Sequence, residues 1–185
     1  MQQKLYDYLA IEKEYALENT SFRHVLKLAV LNHPTWQRWR YIKALRKAQF
    51  GHGMLKYFYE YRRNTLGIRL GFEINGAERI GCGLTLAHLG PIVINKKATL
   101  GENVTLHGDN CIGNSGDHGE CPTIGNNVDI GVGAKIIGNI RVGNDCIIGA
   151  GAVVVSDIPD ESVVAGVPAK VIKKVDQGLI GKRKA

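Results

Sequence analysis

The chain has 185 residues, 44% of them apolar and 22% charged. This is ordinary globular composition and excludes a disordered or fibrous chain. No run approaches about 18 consecutive apolar residues, so no membrane-spanning helix is expected. The stretch MQQKLYDYLAIEKEYALENT carries acidic residues where a secretion signal needs a bare apolar run, which points to the cytoplasm. Cys82, Cys111, Cys121 and Cys146 form no CxxC pair and read as reduced thiols. The formal charge of +7 is concentrated: residues 1–33 are neutral, 34–72 carry +8 and 73–185 carry −1.

Up to residue 72 apolar residues recur at helical spacing. Phe22, Val25, Leu26 and Ala29 form one stripe, Trp36, Trp39, Ile42 and Leu45 a second, and Leu55, Phe58 and Tyr61 begin a third. Pro34 stands where a first helical turn tolerates a missing N–H, and Gly51-His52-Gly53 separates the second stripe from the third. Three or four helices are expected over 1–72. The basic run 34–72 reads as solvated helix faces rather than a nucleic-acid footprint.

Beyond residue 72 the period becomes six. Ile124, Ile130, Ile136, Val142, Ile148 and Val154 form an unbroken ladder. An earlier ladder, Ile74, Ile80, Leu86 and Ile92, slips by two and resumes as Ile94, Leu100, Leu106 and Ile112. A helix advancing about 100° per residue would turn each rung by about 240°, so it cannot hold the ladder on one face. Short extended segments separated by turns can. Three hexads close a triangular coil with the rungs stacked inside, and the Gly that usually follows a rung is expected to supply backbone freedom at the corner. Such a repeat marks a parallel β-helix. The stretch GNSGDHGECPT between Ile112 and Ile124 lacks the pattern and reads as an excursion.

The hexads, the excursion before CPTIG and the closing AGVPAKVI together resemble the left-handed β-helix acyltransferases. FEINGAERIGCGLTLAHLGPIVINKKATLGENVTL is similar to the serine acetyltransferase branch and looks closer still to that branch's relatives that acetylate surface polysaccharides. The resemblance implies a mainly β fold: an N-terminal α-helical segment over 1–72, a left-handed parallel β-helix of hexapeptide repeats over 73–174, and a loose basic tail over 175–185. It also implies acetyl-CoA as donor, no metal, a homotrimer, and active sites between neighbouring β-helices.

By this resemblance His88 is the catalytic base, taking the proton of an acceptor hydroxyl as it attacks the thioester. Glu73, fifteen residues upstream, stands where the family places the aspartate that orients the imidazole. A coil of about eighteen residues would make Glu73 and His88 neighbours across the stack. His107, Asp117 and His118 are the candidate acceptor-binding residues, and His107 and His118 also compete with His88 for the base. Gly133, Ala134, Ala150 and Gly151 are matched to the pantetheine arm of CoA. Gly166, with Val167 and Pro168, turns the chain across the groove, and Lys170 and Lys173 meet the nucleotide phosphates.

The chain departs from serine acetyltransferases where the family binds the charges of serine. Ala87 replaces an aspartate, and Gly119, Glu120, Cys121 and Pro122 replace an Asp-Arg-His-Pro run. A buried, unpaired zwitterion is costly, so these losses favour a saccharide hydroxyl as acceptor, with serine O-acetylation of cysteine biosynthesis as the alternative. The basic 34–72 segment then suggests peripheral contact with a membrane or an acidic polysaccharide, and no nucleic acid. A zinc carbonic anhydrase on the same fold needs three histidine ligands, and the closely spaced pair it uses is missing. A non-catalytic scaffold would show neither CoA binding nor thioester cleavage.

Overall fold

A computed structural model describes residues 2–17, 21–116 and 119–176. Four helices lead: α1 (Gln2–Leu17), α2 (Phe22–Val30), α3 (Pro34–Phe50) and α4 (Gly53–Leu70). Ser21 caps α2, its hydroxyl accepting from His24 N at 3.4 Å. Pro34 occupies the first turn of α3, and His33 Nδ1 accepts from Thr35 N at 3.3 Å. The α3 stripe is core: Trp39, Ile42 and Leu45 are buried. The third stripe is not. Leu55, Phe58 and Tyr61 are exposed on α4, as are Phe22 and Leu26 on α2. Spacing shows which residues share a face, but not whether anything covers it.

Parallel strands follow, wound into three sheets. The first face holds β1 (Phe72–Ile74), β3 (Ile92–Ile94), β6 (Asn110–Gly113), β9 (Lys135–Ile137) and β12 (Val153–Val154). The second holds β2 (Thr85–Leu86), β5 (Thr105–Leu106), β8 (Asp129–Ile130), β11 (Ile147–Ile148), β13 (Ser162–Gly166) and β14 (Ala169–Lys174), the last of these antiparallel to β13. The third holds β4 (Thr99–Leu100), β7 (Thr123–Ile124) and β10 (Arg141–Val142). Every rung of the ladder, from Ile74 to Val154, is buried.

The glycines that follow the rungs serve a different purpose from the one expected. Gly131 and Gly149 do not adopt positive φ. A Cβ on Gly131 would stand 2.6 Å from Ala150 N, and one on Gly149 would stand 3.1 Å from Ala165 Cβ. They are glycines because coils stack closely there. The left-handed turns fall elsewhere, on Asn103, Asp109, Asn127, Asp145 and Glu161, at φ of 51–56°; short polar side chains tolerate that region best.

The register explains the slip in the ladder. Ile74 pairs with Ile94 and Leu86 with Leu106, so the first coil is 20 residues long, whereas Ile130 pairs with Ile148 at 18. The two extra residues lie between Leu86 and Ile94, at the corner that carries His88. The excursion lengthens the next coil to 24, pairing Leu106 with Ile130.

The helices close the open end of the solenoid by hydrogen-bonding its first coil. Arg46 and Glu12 are both fully buried and paired at 2.6 Å. Arg46 donates to Ile80 O at 2.9 Å and Gly81 O at 2.5 Å, while Glu12 Oε1 accepts from Leu84 N at 3.1 Å. Arg38 donates to Leu86 O at 3.1 Å. The basic segment is therefore not wholly a solvated face: Arg46 is the stopper of a strand edge that would otherwise leave backbone groups unpaired.

Candidate active site

The corner between the second and first faces gathers the candidate residues. Ala87, His107, Gly131, Gly149 and Ala165 stack there, each of the first four donating its N–H one coil down: to Leu106 O, Ile130 O, Ile148 O and Val164 O. His88, exposed beside Ala87, has its ring centroid 6.2 Å from that of His107. His107 Nε2 lies 3.0 Å from Asp129 Oδ1. A carboxylate at that distance orients the ring, as in hydrolytic triads. Sequence reading missed Asp129, which is one coil away on β8.

Glu73 is not joined to His88. It lies on the outer side of the first face, paired in register with Val93, and its carboxylate accepts from Asn75 Nδ2 at 3.5 Å. Among the described residues no hydrogen bond links Glu73 and His88. The two extra residues at the His88 corner undo the spacing argument that made them neighbours. Asp117 and His118 lie outside the described residues. The excursion that bears them leaves β6 and enters β7, at the corner of the first and third faces. Its base is tied there by Asn95 Nδ2 donating to Asn114 Oδ1 at 3.1 Å. Within one chain, the excursion therefore rises from a different corner than His88. Glu120 is exposed and Cys121 is buried.

Below the histidines the same corner is a track of small residues. Gly133 and Gly151 adopt φ of 75° and 67°, and a Cβ on Gly151 would meet nothing within 4 Å. Ala150 is exposed, but Ala134 is wholly buried, so its methyl group packs inside the coil and does not line the track. The track ends at the β13–β14 hairpin, where Gly166 pairs with Ala169 across Val167 and Pro168. Lys170 and Lys173 stand exposed on β14. Imidazoles at one end, a bare backbone corner and cations at the other end suit a long, thin, anionic donor such as a CoA thioester. Among the described residues no group of three or more His, Cys, Asp or Glu side chains is placed to hold a metal ion.

A cleft flanks the same corner. It occupies about 560 Å³ between α1, α2, α3 and strand β2, and Leu84–Ala87 forms one wall.

No family model matches the chain. Among curated relatives, the serine acetyltransferase of Mycobacterium tuberculosis is 36% identical over 144 residues, covering 77% of this chain and 56% of the relative. The serine acetyltransferase of Helicobacter pylori is 42% identical over 106 residues, covering 56% and 62%. The chain thus spans little more than half the length of these relatives. Among solved structures, the Neisseria gonorrhoeae serine acetyltransferase in complex with serine is 30% identical with a TM-score of 0.66, covering 91% of this chain and 69% of that one. The Brucella abortus serine acetyltransferase in complex with coenzyme A is 28% identical with a TM-score of 0.67, covering 94% and 74%. These findings overturn the expectation of a saccharide acceptor and of a polysaccharide-acetylating branch. That expectation rested on charges missing at Ala87, Glu120 and Cys121, and a missing group in one loop does not exclude a charged ligand held by other elements. With its stacked hexads, its helical cap and this likeness over most of its length, the chain belongs to the serine acetyltransferase family and carries that family's left-handed hexapeptide-repeat β-helix.

Proposed function

We propose that the chain is an acetyl-CoA-dependent serine O-acetyltransferase. The observation that carries this reading is the corner itself: His88 and the His107–Asp129 pair stand at the head of a small-residue track that ends at Lys170 and Lys173. His88 takes the proton of the serine hydroxyl as that oxygen bonds to the acetyl carbon. It returns the proton to sulfur as the carbon–sulfur bond breaks. No covalent enzyme intermediate is needed, because holding both substrates together supplies much of the acceleration. His107, fixed by Asp129, sits beside the base and keeps a defined polar wall there.

The thioester arm lies along Gly133, Ala150 and Gly151, and Lys170 and Lys173 meet its phosphates. Only the backbone of Ala134 takes part. The working unit is a homotrimer. In a three-fold ring the corner between β6 and β7 faces the His88 corner of the next chain, which closes a cleft that one chain leaves open. The reaction belongs to the cytoplasm, and no described helix is long and apolar enough to cross a membrane.

The test is CoA release with a panel of amino acids, monosaccharides, nucleotide sugars and polysaccharides. Saturable turnover with L-serine is expected. Turnover confined to a sugar, or to none of them, would defeat the reading.

A further inference from the structure

Helix α4 has two sides, and the fold uses one of them. On the inner side Leu66 and Gly67 are buried, and a Cβ on Gly67 would stand 3.4 Å from the Tyr41 ring of α3. On the outer side lie Met54, Phe58, Tyr61, Thr65 and Ile68, at alternating steps of four and three. At about 100° per residue these steps hold the five in one stripe about 80° wide and about 21 Å long. The four large apolar members are 52–88% exposed, and among the described residues no element covers the stripe. Thr65 donates its hydroxyl to Tyr61 O at 2.9 Å, so its polar group is satisfied within the helix. Leu55, Arg62 and Arg69 follow one edge of the stripe seven residues apart, all exposed. The Arg62 guanidinium lies 5.9 Å from the centroid of the Phe58 ring, cation beside apolar surface. Glu60, the one acid of α4, is paired with Lys56 at 3.9 Å.

We infer that the outer face of α4 docks on an anionic lipid surface, the helix lying in the plane of the interface. Apolar and aromatic side chains on one stripe with cations along its edge are what such a helix needs. Met54, Phe58 and Ile68 enter the boundary of the acyl chains. The rings of Tyr57 and Tyr61 sit at headgroup depth, apolar body inward and hydroxyl outward. Arg62 and Arg69 reach back along the stripe to the lipid phosphates. Charge decides against a second copy of the chain as the occupant. A two-fold antiparallel pairing of α4 helices would set the row of Arg62 and Arg69 against itself, with no acid to relieve it. A partner helix would also be met by the other edge of the stripe, where Tyr57 and Asn64 carry no charge. A negative sheet of headgroups needs only the one cationic row.

The test is co-sedimentation of the full chain with vesicles of phosphatidylcholine, alone or with about one-third phosphatidylglycerol. The parent is expected to bind the anionic vesicles, and at least about tenfold more weakly when the lipid is neutral or the salt is raised to about 0.5 M. Three double variants are compared. Phe58→Ser with Ile68→Ser should weaken binding at least about tenfold through lost apolar contact. Arg62→Gln with Arg69→Gln should weaken it about 10- to 30-fold through lost charge. Lys4→Gln with Lys13→Gln removes as much charge from exposed positions on α1 and should stay within about threefold of the parent. All six side chains are exposed, so melting temperatures should match the parent. No binding to anionic vesicles would overturn the assignment, as would parent-like binding by either α4 variant or an equal loss in the α1 variant. A lower native mass for the Ser variant by light scattering would also overturn it, because the face would then be a contact between copies of the chain. Catalysis is no part of the readout, so the docking face and the proposed reaction stand or fall separately.

Discussion

In the proposed reaction the chemistry turns on His88 and His107, and they differ in what supports them. His107 has Asp129 at 3.0 Å. Replacing His88 with Ala is expected to lower kcat by about 100- to 10,000-fold, the usual worth of a positioned base, while circular dichroism and CoA binding stay at parent values. Asp129→Asn should cost less and should act through His107, so a His107→Ala, Asp129→Asn double variant should be no slower than His107→Ala alone. Glu73→Gln should cost least, because its carboxylate is bonded to Asn75 and not to either imidazole. His88 could be singled out as a candidate in the sequence because AHLGPIVIN is a local motif. Asp129 could not, because its meeting with His107 depends on the 24-residue register between β5 and β8. That register is set by the excursion: with an ordinary coil of 18, as between β8 and β11, residue 123 would face residue 105.

Among the elements, the hexad ladder was the most readable feature, since each rung repeats the same local demand for an aliphatic side chain in a closed coil. The helices were half readable. Trp39, Ile42 and Leu45 pack as their spacing implies, whereas the α4 stripe Leu55, Phe58 and Tyr61 faces outward. Charge counting misplaced Arg46, a fully buried residue that bridges α1 and the first coil; its partner Glu12 lies 34 residues away, and no periodicity links them. Two consequences belong to this scale. Glu12→Gln leaves the Arg46 charge buried without its counter-ion, so a loss of about 3–5 kcal/mol is expected, read as a lower denaturation midpoint in urea. The corner track predicts the opposite pattern for Ala150→Trp. Ala150 is exposed on the track, so the bulky ring should raise the KM for acetyl-CoA at least about tenfold with the melting temperature unchanged, as measured by initial rates and by thermal scanning of the unliganded protein.

For the whole molecule, the candidate base and the excursion rise from different corners of one triangular coil, which makes sense if the site is completed by a neighbour. Light scattering coupled to size exclusion is expected to report three times the chain mass of 20.3 kDa, or a multiple of that trimer. An active monomer would contradict it. The likeness to serine acetyltransferases covers helices and solenoid alike, so the cap over the first coil is as much a part of the family's architecture as the hexads. Serine is named by these relatives, and the residues at 87, 120 and 121 argue for recognising it by other means. The central claim is thus that an acetyl group moves from CoA to the hydroxyl of a free amino acid. Mass spectrometry of the product formed from L-serine and acetyl-CoA tests it most directly. The account predicts one added acetyl group that neutral hydroxylamine removes, as it does an ester, and that fails to form with His88→Ala. An unmodified serine pool, or an acetyl group that resists hydroxylamine as an amide does, would contradict it.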